Sequence, residues 1–233
     1  MNLFYQPAIQ QGVHHLDPTE SKHCTKVLRK KTGDKIHITD GKGFLYEAMI
    51  IVADPGECRF EIQETKPETR KSFSIHIAIS PTKHADRFEW FVEKAVELGV
   101  DRITVMKCEH TEYSHFKIDR LEKIAISAMK QSLRLTLPKI DGPIDFINVV
   151  NEADAASKFI AHVDVNNTEH LKKVAQPHSD YVVLVGPEGD FSGSEIVLAI
   201  GKNFRKVSLG SNRLRTETAG LAACHILNLV NIA

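Results

Sequence analysis

Val185-Gly186-Pro187-Glu188-Gly189-Asp190-Phe191-Ser192 is the stretch that settles the class of fold. It begins on the apolar run Tyr181–Val185, which reads as a buried strand. It ends on Ser192-Gly193-Ser194-Glu195, which has the spacing of a helix capping box. A strand, a glycine-bearing turn and a capped helix in direct succession make a β-α unit, with a ligand loop at the carboxyl end of the strand. A second junction of this kind follows. A strand at Lys206–Leu209 leads into Leu209-Gly210-Ser211-Asn212-Arg213-Leu214-Arg215-Thr216-Glu217-Thr218-Ala219, and a helix is expected from Thr216 to Val230.

Upstream, strands at Phe73–Ile79, Arg102–Lys107 and Phe159–Val163 alternate with helices at Ala85–Leu98, Ile118–Leu133 and Ile144–Asn151. In the first of these helices Phe88, Phe91, Val92, Ala95 and Val96 share a face, and Gly99 is a natural stop. Alternating strands and helices predict an α/β domain with a mostly parallel sheet. The beginning of the chain reads differently. Ile36 and Ile38 alternate with polar neighbours, Asp40-Gly41-Lys42-Gly43 is a turn, and strands are expected at Phe44–Val52 and Cys58–Thr65. With a short helix at Ser21–Leu28, this reads as a small β-barrel or sandwich. The polar run Lys66-Pro67-Glu68-Thr69-Arg70-Lys71-Ser72 marks the boundary, giving expected domains of residues 1–72 and 73–233.

The 233 residues carry 30 Lys+Arg against 30 Asp+Glu, which excludes a protein that coats nucleic acid by bulk positive charge. The neutrality is an average. Residues 22–42 hold seven basic side chains against Asp34 and Asp40. No run approaches the roughly 20 apolar residues of a membrane span. The opening Met1-Asn2-Leu3-Phe4-Tyr5-Gln6-Pro7 has no basic or apolar leader region, so no secretory signal is expected. Cys24, Cys58, Cys108 and Cys224 are scattered, which suits a reducing compartment, and a cytoplasmic location is expected.

Neither GxxxxGK[ST] nor GxGxxG after an early strand is present, so phosphate-loop and dinucleotide readings lose their main support. Glu188, Asp190 and Glu195 would repel a phosphate despite the nearby helix N-terminus. Arg213 and Arg215 can hold a carboxylate or an RNA phosphate. A ligand with a sulfonium, an ammonium, a carboxylate and an adenosine, S-adenosyl-L-methionine, fits this combination. The plain alternative is that both loops are ordinary turns with solvated charges. Cys108, His110 and His115 lack a fourth ligand at standard spacing, so they read as a polar loop and no metal is expected.

The runs GPEGDFSGSEI and LGSNRLRTETA resemble the two signature motifs of the RsmE family, small-subunit ribosomal RNA uridine-N3 methyltransferases of the SPOUT superfamily. His23–Arg29 (HCTKVLR), Lys94–Val100 (KAVELGV) and Gln131-Ser132-Leu133-Arg134 are similar to further family segments, in the same order. The resemblance implies a PUA-like RNA-binding β-barrel followed by a SPOUT domain with a mostly parallel sheet and a trefoil knot. It implies that the donor is held mainly by the backbone of Leu184, Val185, Gly186, Pro187, Glu188 and Gly189, and of Leu209, Gly210, Ser211, Leu214, Arg215 and Thr216. It also implies a homodimer acting on a uridine of 16S ribosomal RNA in the small subunit. Three positions depart from the family pattern. Asp190 replaces a glycine, and Asn212 and Arg213 stand where the family has Arg and Ile.

With that implication, Arg29, Lys30, Lys31 and Lys35 are candidates for RNA backbone contacts, joined by Arg213, Gln131 and Arg134. Gln131 and Arg134 fit a dimer interface equally well. Removing the uracil N3 proton needs a base or a stabiliser of the anion. Glu217 is the candidate base and Arg215 the candidate stabiliser, while Glu217 reads equally as a helix-dipole or Arg215 partner. Two other classes remain: a non-catalytic RNA-binding protein, and a metabolic enzyme with an adenosine ligand. The intact RTETA segment disfavours the first, and the basic N-terminal module disfavours the second.

Overall fold

A computed structural model describes residues 2–69, 71–112, 117–162 and 169–232. The chain forms two compact units, Met1–Arg70 with Ile126–Leu137, and Lys71–Ala125 with Pro138–Ala233.

In the first unit, β1 (Leu3–Tyr5), β2 (Lys35–Thr39), β3 (Phe44–Val52) and β4 (Arg59–Pro67) form one sheet in that order. β1 runs parallel to β2, and the other pairs are antiparallel. The alternation at Ile36 and Ile38 turns both inward, where they meet Phe4, Leu16, Tyr46, Ile50 and Phe60. Asp40 fixes the tight turn. Its Oδ1 accepts from the Lys42 N–H at 2.8 Å, and its Oδ2 accepts from Gln10 Nε2 at 2.7 Å.

The helix expected at Ser21–Leu28 starts earlier and changes character. Helix α1 spans Pro18–Lys22, because Asp17 accepts from the Thr19 and Glu20 N–H groups and Pro18 suits the first helical position. One wider, π-type turn follows at His23–Val27, and Arg29 leaves it in a left-handed conformation, φ 56°.

Residues 126–137 join this unit through backbone pairing that no periodicity announces. The Gly43 N–H donates to Leu135 O at 3.0 Å, and the Leu137 N–H to Gly41 O at 2.8 Å. Thr136 Oγ1 donates to Glu68 at 2.7 Å, and Lys130 pairs with Glu20. Arg70, within the polar run taken as the boundary, lies outside the described residues.

The second unit is a parallel sheet of β5 (Ser74–Ile79), β6 (Arg102–Lys107), β7 (Lys139–Asp145), β8 (Ser157–Ala161), β9 (Asp180–Val185) and β10 (Arg205–Val207). The strand order is β10-β8-β9-β5-β6-β7. Its helices are α2 (Ala85–Glu97), the beginning of α3 (Ile118–Gln131, whose residues from Ile126 on belong to the first unit), α4 (Phe146–Glu152), α5 (Leu171–Val174), α6 (Gly193–Gly201) and α7 (Thr216–Val230). Alternate residues of each strand serve opposite faces. Ala78, Val182 and Leu184 pack with Phe146, Phe191 and Phe204. On the other face α7 lies so close to β5 and α2 that a Cβ on Gly220 would sit 2.9 Å from Ile79 Cδ1 and 2.5 Å from Phe91 Cε2. Only glycine permits that approach.

β7 was not apparent in the sequence, since Lys139–Asp145 (KIDGPID) has no alternation of apolar residues. The strand expected at Phe159–Val163 runs from Ser157 to Ala161, and Val163 lies outside the described residues. Toward the amino ends of the strands, His76 Nε2 lies 2.8 Å from Thr104 Oγ1, which donates to Asp141 Oδ1 at 2.5 Å. Burial pushes the His76 imidazole down to about 4, so the folded unit holds it neutral.

Candidate functional site

Both loops singled out in the sequence leave the carboxyl ends of parallel strands, β9 and β10, and together they line a cavity of about 1040 Å³. The walls of the first loop are Val185, Gly186, Pro187, Glu188 and Asp190, and the second contributes every residue from Leu209 to Thr216. Two bonds tie the loops together. Buried Thr216 donates its hydroxyl to Gly186 O at 3.0 Å, and Arg213 Nη2 donates to Glu188 O at 3.2 Å. The Phe191 ring backs the first loop so closely that a Cβ at Gly186 would stand 3.1 Å from its ring carbons.

The acids of the first loop have separate duties. Ser192 and Glu195 form the capping box of α6: Ser192 Oγ accepts from the Glu195 N–H, and Glu195 Oε2 from the Ser192 N–H at 2.9 Å. Glu195 Oε1 also accepts from the Glu109 N–H at 2.9 Å, and the side chain is buried. Of the three carboxylates expected to repel a phosphate, Glu195 is set apart, because its oxygens are consumed by backbone donors. Glu188 and Asp190 do line the cavity.

Of the residues expected at the donor site, Leu184 is wholly buried in the sheet core and Gly189 packs against His110, so neither is part of the wall. The remaining ten line it. Arg215 is exposed at the amino end of α7 and lines the cavity, and among the described residues its guanidinium has no ion-pair partner. Glu217 is 6% exposed in the first turn of α7 and is not part of the wall.

Arg213 is on the cavity, whereas the other RNA candidates belong to the first unit. Arg29, Lys31, Lys35 and Gln131 are exposed, and Lys30 and Arg134 half-buried. Lys30 Nζ donates to Lys35 O at 3.3 Å, which braces the loop that carries them. The structure thus puts Gln131 and Arg134 in the same unit as the basic segment 22–42.

Sequence reasoning missed His162, His170, Asn212 and Ala219 as wall residues, with Ala161, Val207 and Ser208. Ala161, His162, Val207 and Ser208 stand at the ends of β8 and β10, a signal legible only once those ends are known. Cys108 is buried, and that burial pushes its thiol up, away from the thiolate a metal needs. His115 lies outside the described residues. Among the described residues no group of three or more His, Cys, Asp or Glu side chains is placed to hold a metal ion.

The comparison with known families separates the readings this geometry permits. An RNA methyltransferase domain matches residues 69–228, and an RNA methyltransferase PUA domain matches residues 16–63. The Ribosomal RNA small subunit methyltransferase E of Rickettsia conorii is 31% identical over 202 residues, 84% of this chain and 81% of that protein. The chain belongs to the ribosomal RNA small subunit methyltransferase E family. A probable rRNA-methyltransferase from Porphyromonas gingivalis has the same fold, with a TM-score of 0.94, 41% identity and coverage of 99% of this chain and 98% of that one. The Ribosomal RNA small subunit methyltransferase E from Neisseria gonorrhoeae, bound to S-adenosyl methionine, superposes with a TM-score of 0.87 at 29% identity, again over 99% and 98%. The architecture is that of a SPOUT methyltransferase with a small PUA-like domain ahead of it, and an RNA is its substrate class. Among the described residues no helix is long and apolar enough to cross a membrane.

Proposed function

We propose that this protein transfers the methyl group of S-adenosyl-L-methionine to N3 of a uridine in 16S ribosomal RNA. The observation that carries the reading is the cavity of about 1040 Å³ between two cross-tied loops at the strand ends, in a chain of this family. Backbone of Val185–Glu188 and Leu209–Thr216 surrounds the donor. The carboxylate of Glu188 favours its cationic end, and the Arg213 and Arg215 guanidiniums favour anionic groups.

The N3–H of uracil loses its proton to solvent water, the N3 lone pair forms the bond to the methyl carbon, the S–C bond breaks and S-adenosylhomocysteine leaves. This in-line displacement depends mainly on positioning and exclusion of water. Arg215, exposed on the cavity and without an ion-pair partner among the described residues, is assigned to the negative charge that develops on uracil oxygen. Glu217, buried in the first turn of α7 and off the cavity wall, is suited to the helix dipole.

The RNA backbone is met by Arg29, Lys30, Lys31 and Lys35, with Gln131 and Arg134 on the same unit. The assembled small subunit is the proposed substrate, a homodimer the proposed active form and the cytoplasm the proposed location. Incubating small subunits with the protein and donor, then mapping methyl marks by mass spectrometry of the 16S RNA, tests the assignment. A new mark on a uridine N3 is expected. Donor binding with no uridine mark would refute the substrate.

A further inference from the structure

Two cavity residues, His162 and Asp190, stand apart from the backbone cradle. The described part of β8 ends at Ala161, so His162 is the first residue beyond a strand end, with its N–H donating to Val207 O at 3.3 Å. Asp190 lines the same cavity. Its backbone is left-handed, φ 63°, a conformation that disfavours any residue with a Cβ. A side chain kept at a strained position needs a local compensation. Here Asp190 Oδ1 accepts from the Phe191 N–H at 2.8 Å, and Oδ2 lies 2.9 Å from His162 Nδ1.

That second contact fixes the ring. A carboxylate only accepts, and two lone pairs 2.9 Å apart repel, so the proton of the imidazole belongs on Nδ1. Nδ1 is fully buried and makes no hydrogen bond among the described residues, and the Asp190 carboxylate at 2.9 Å is the acceptor within reach of its proton. The side chain keeps 17% of its exposure, which must come from the rest of the ring. In the neutral ring, Nε2 then offers a lone pair to the cavity. Arg213 and Arg215 are exposed, whereas His162 is mostly enclosed. A ligand seated on the strand ends meets His162 first, and an RNA base entering over it meets the arginines.

We infer that the His162–Asp190 pair reads the adenosine of the methyl donor, with His162 Nε2 accepting a hydrogen bond from the exocyclic amine or a ribose hydroxyl. This rests on the proposed use of S-adenosylmethionine. Asp190 is a positioning residue that holds the tautomer, and His162 touches the ligand.

Calorimetric titration of the full-length protein with S-adenosylhomocysteine provides the test. His162→Ala should weaken binding about tenfold, the scale of one well-placed hydrogen bond. His162→Gln, which returns an acceptor near the Nε2 position, should recover much of the loss. Asp190→Gly relieves the left-handed strain, so its melting temperature should hold or rise while donor binding falls several-fold. The same titrations with the inosine counterpart and the 2′- and 3′-deoxyribose counterparts of the ligand identify the group that is read. The His162→Ala penalty should vanish for the analogue lacking that group. A penalty that persists with all three analogues overturns the acceptor role. Unchanged affinity with a slower single-turnover methylation at saturating donor overturns it too, and moves the ring to the uracil proton. Failure of the unsubstituted protein to bind S-adenosylhomocysteine refutes the proposed donor itself, a result separable from any variant's behaviour.

Discussion

Under the proposed function, the basic segment of the first unit and the cavity of the second unit recognise their ligands by opposite means. In the first, Arg29 and Lys31 on a loop and Lys35 at the start of β2 are exposed side chains, braced by the Lys30 bond to Lys35 O. In the second, buried backbone is held in place by Thr216 bound to Gly186, by Phe191 behind the loop and by Glu195 capping α6. Exposed cations act through a field, so each contributes a small and nearly independent share that salt screens. A cavity of interlocked loops acts as one object, in which the removal of one part disturbs the others.

The contrast predicts effects of very different size. The largest belongs to the cavity: Arg215→Ala should lower turnover on small subunits by about a hundredfold or more, the scale of a lost transition-state donor. Donor affinity should change far less, and calorimetry beside a methylation assay separates the two. Unchanged turnover would remove Arg215 from the chemistry. Next is the packing that sets the start of α7. Gly220→Val drives new methyl groups into Phe91 and Ile79, and should destabilise the second unit by about 3 kcal/mol or more, measured by urea denaturation.

A third effect concerns acid. The folded-state value of His76, about 4, lies below the ordinary value of 6.5, so the unfolded chain binds the extra proton first. The stability that His76 contributes as a neutral ring is present in full above about pH 6.5 and declines as the pH falls toward 4. The loss is of order 2–3 kcal/mol across that window. His76→Gln should flatten this part of the stability profile; an equally steep decline in the variant would place the titration elsewhere. The smallest effect is on the cations. Replacing Lys31 and Lys35 by Gln should weaken RNA binding several-fold at moderate salt. The slope of log affinity against log salt should fall by about two units, one per lost phosphate contact. If the slope stays put and turnover collapses, the contrast between the two regions is wrong.

Regular, single-face patterns were legible in the sequence. The helix expected from Thr216 to Val230 is α7 with the same bounds, and the Ser192–Glu195 spacing is a true capping box. Both signals are local, carried by residues within a turn of one another. β7 was invisible because KIDGPID has no period, and α1 was displaced because Asp17 and Pro18 start a helix more strongly than Ser21. In the site, the glycine loops were legible because turns have their own chemistry. The direction of each side chain was not: Glu195 and Glu217 turn inward, and His162 reaches the cavity because β8 ends at Ala161.

The sequence alone determined the alternation of strands and helices, the two ligand loops, the basic segment at 22–42 and the glycine stop after α2, since each is written in neighbouring residues. Only the tertiary structure decided that residues 126–137 complete the first unit by pairing with the turn at Asp40–Gly43. It also decided that Thr216 closes on Gly186 across 30 residues and that Asp190 meets His162. Contacts between residues far apart along the chain leave no period or spacing to read. The loop contacts arise because strand order brings the carboxyl ends of β8, β9 and β10 side by side.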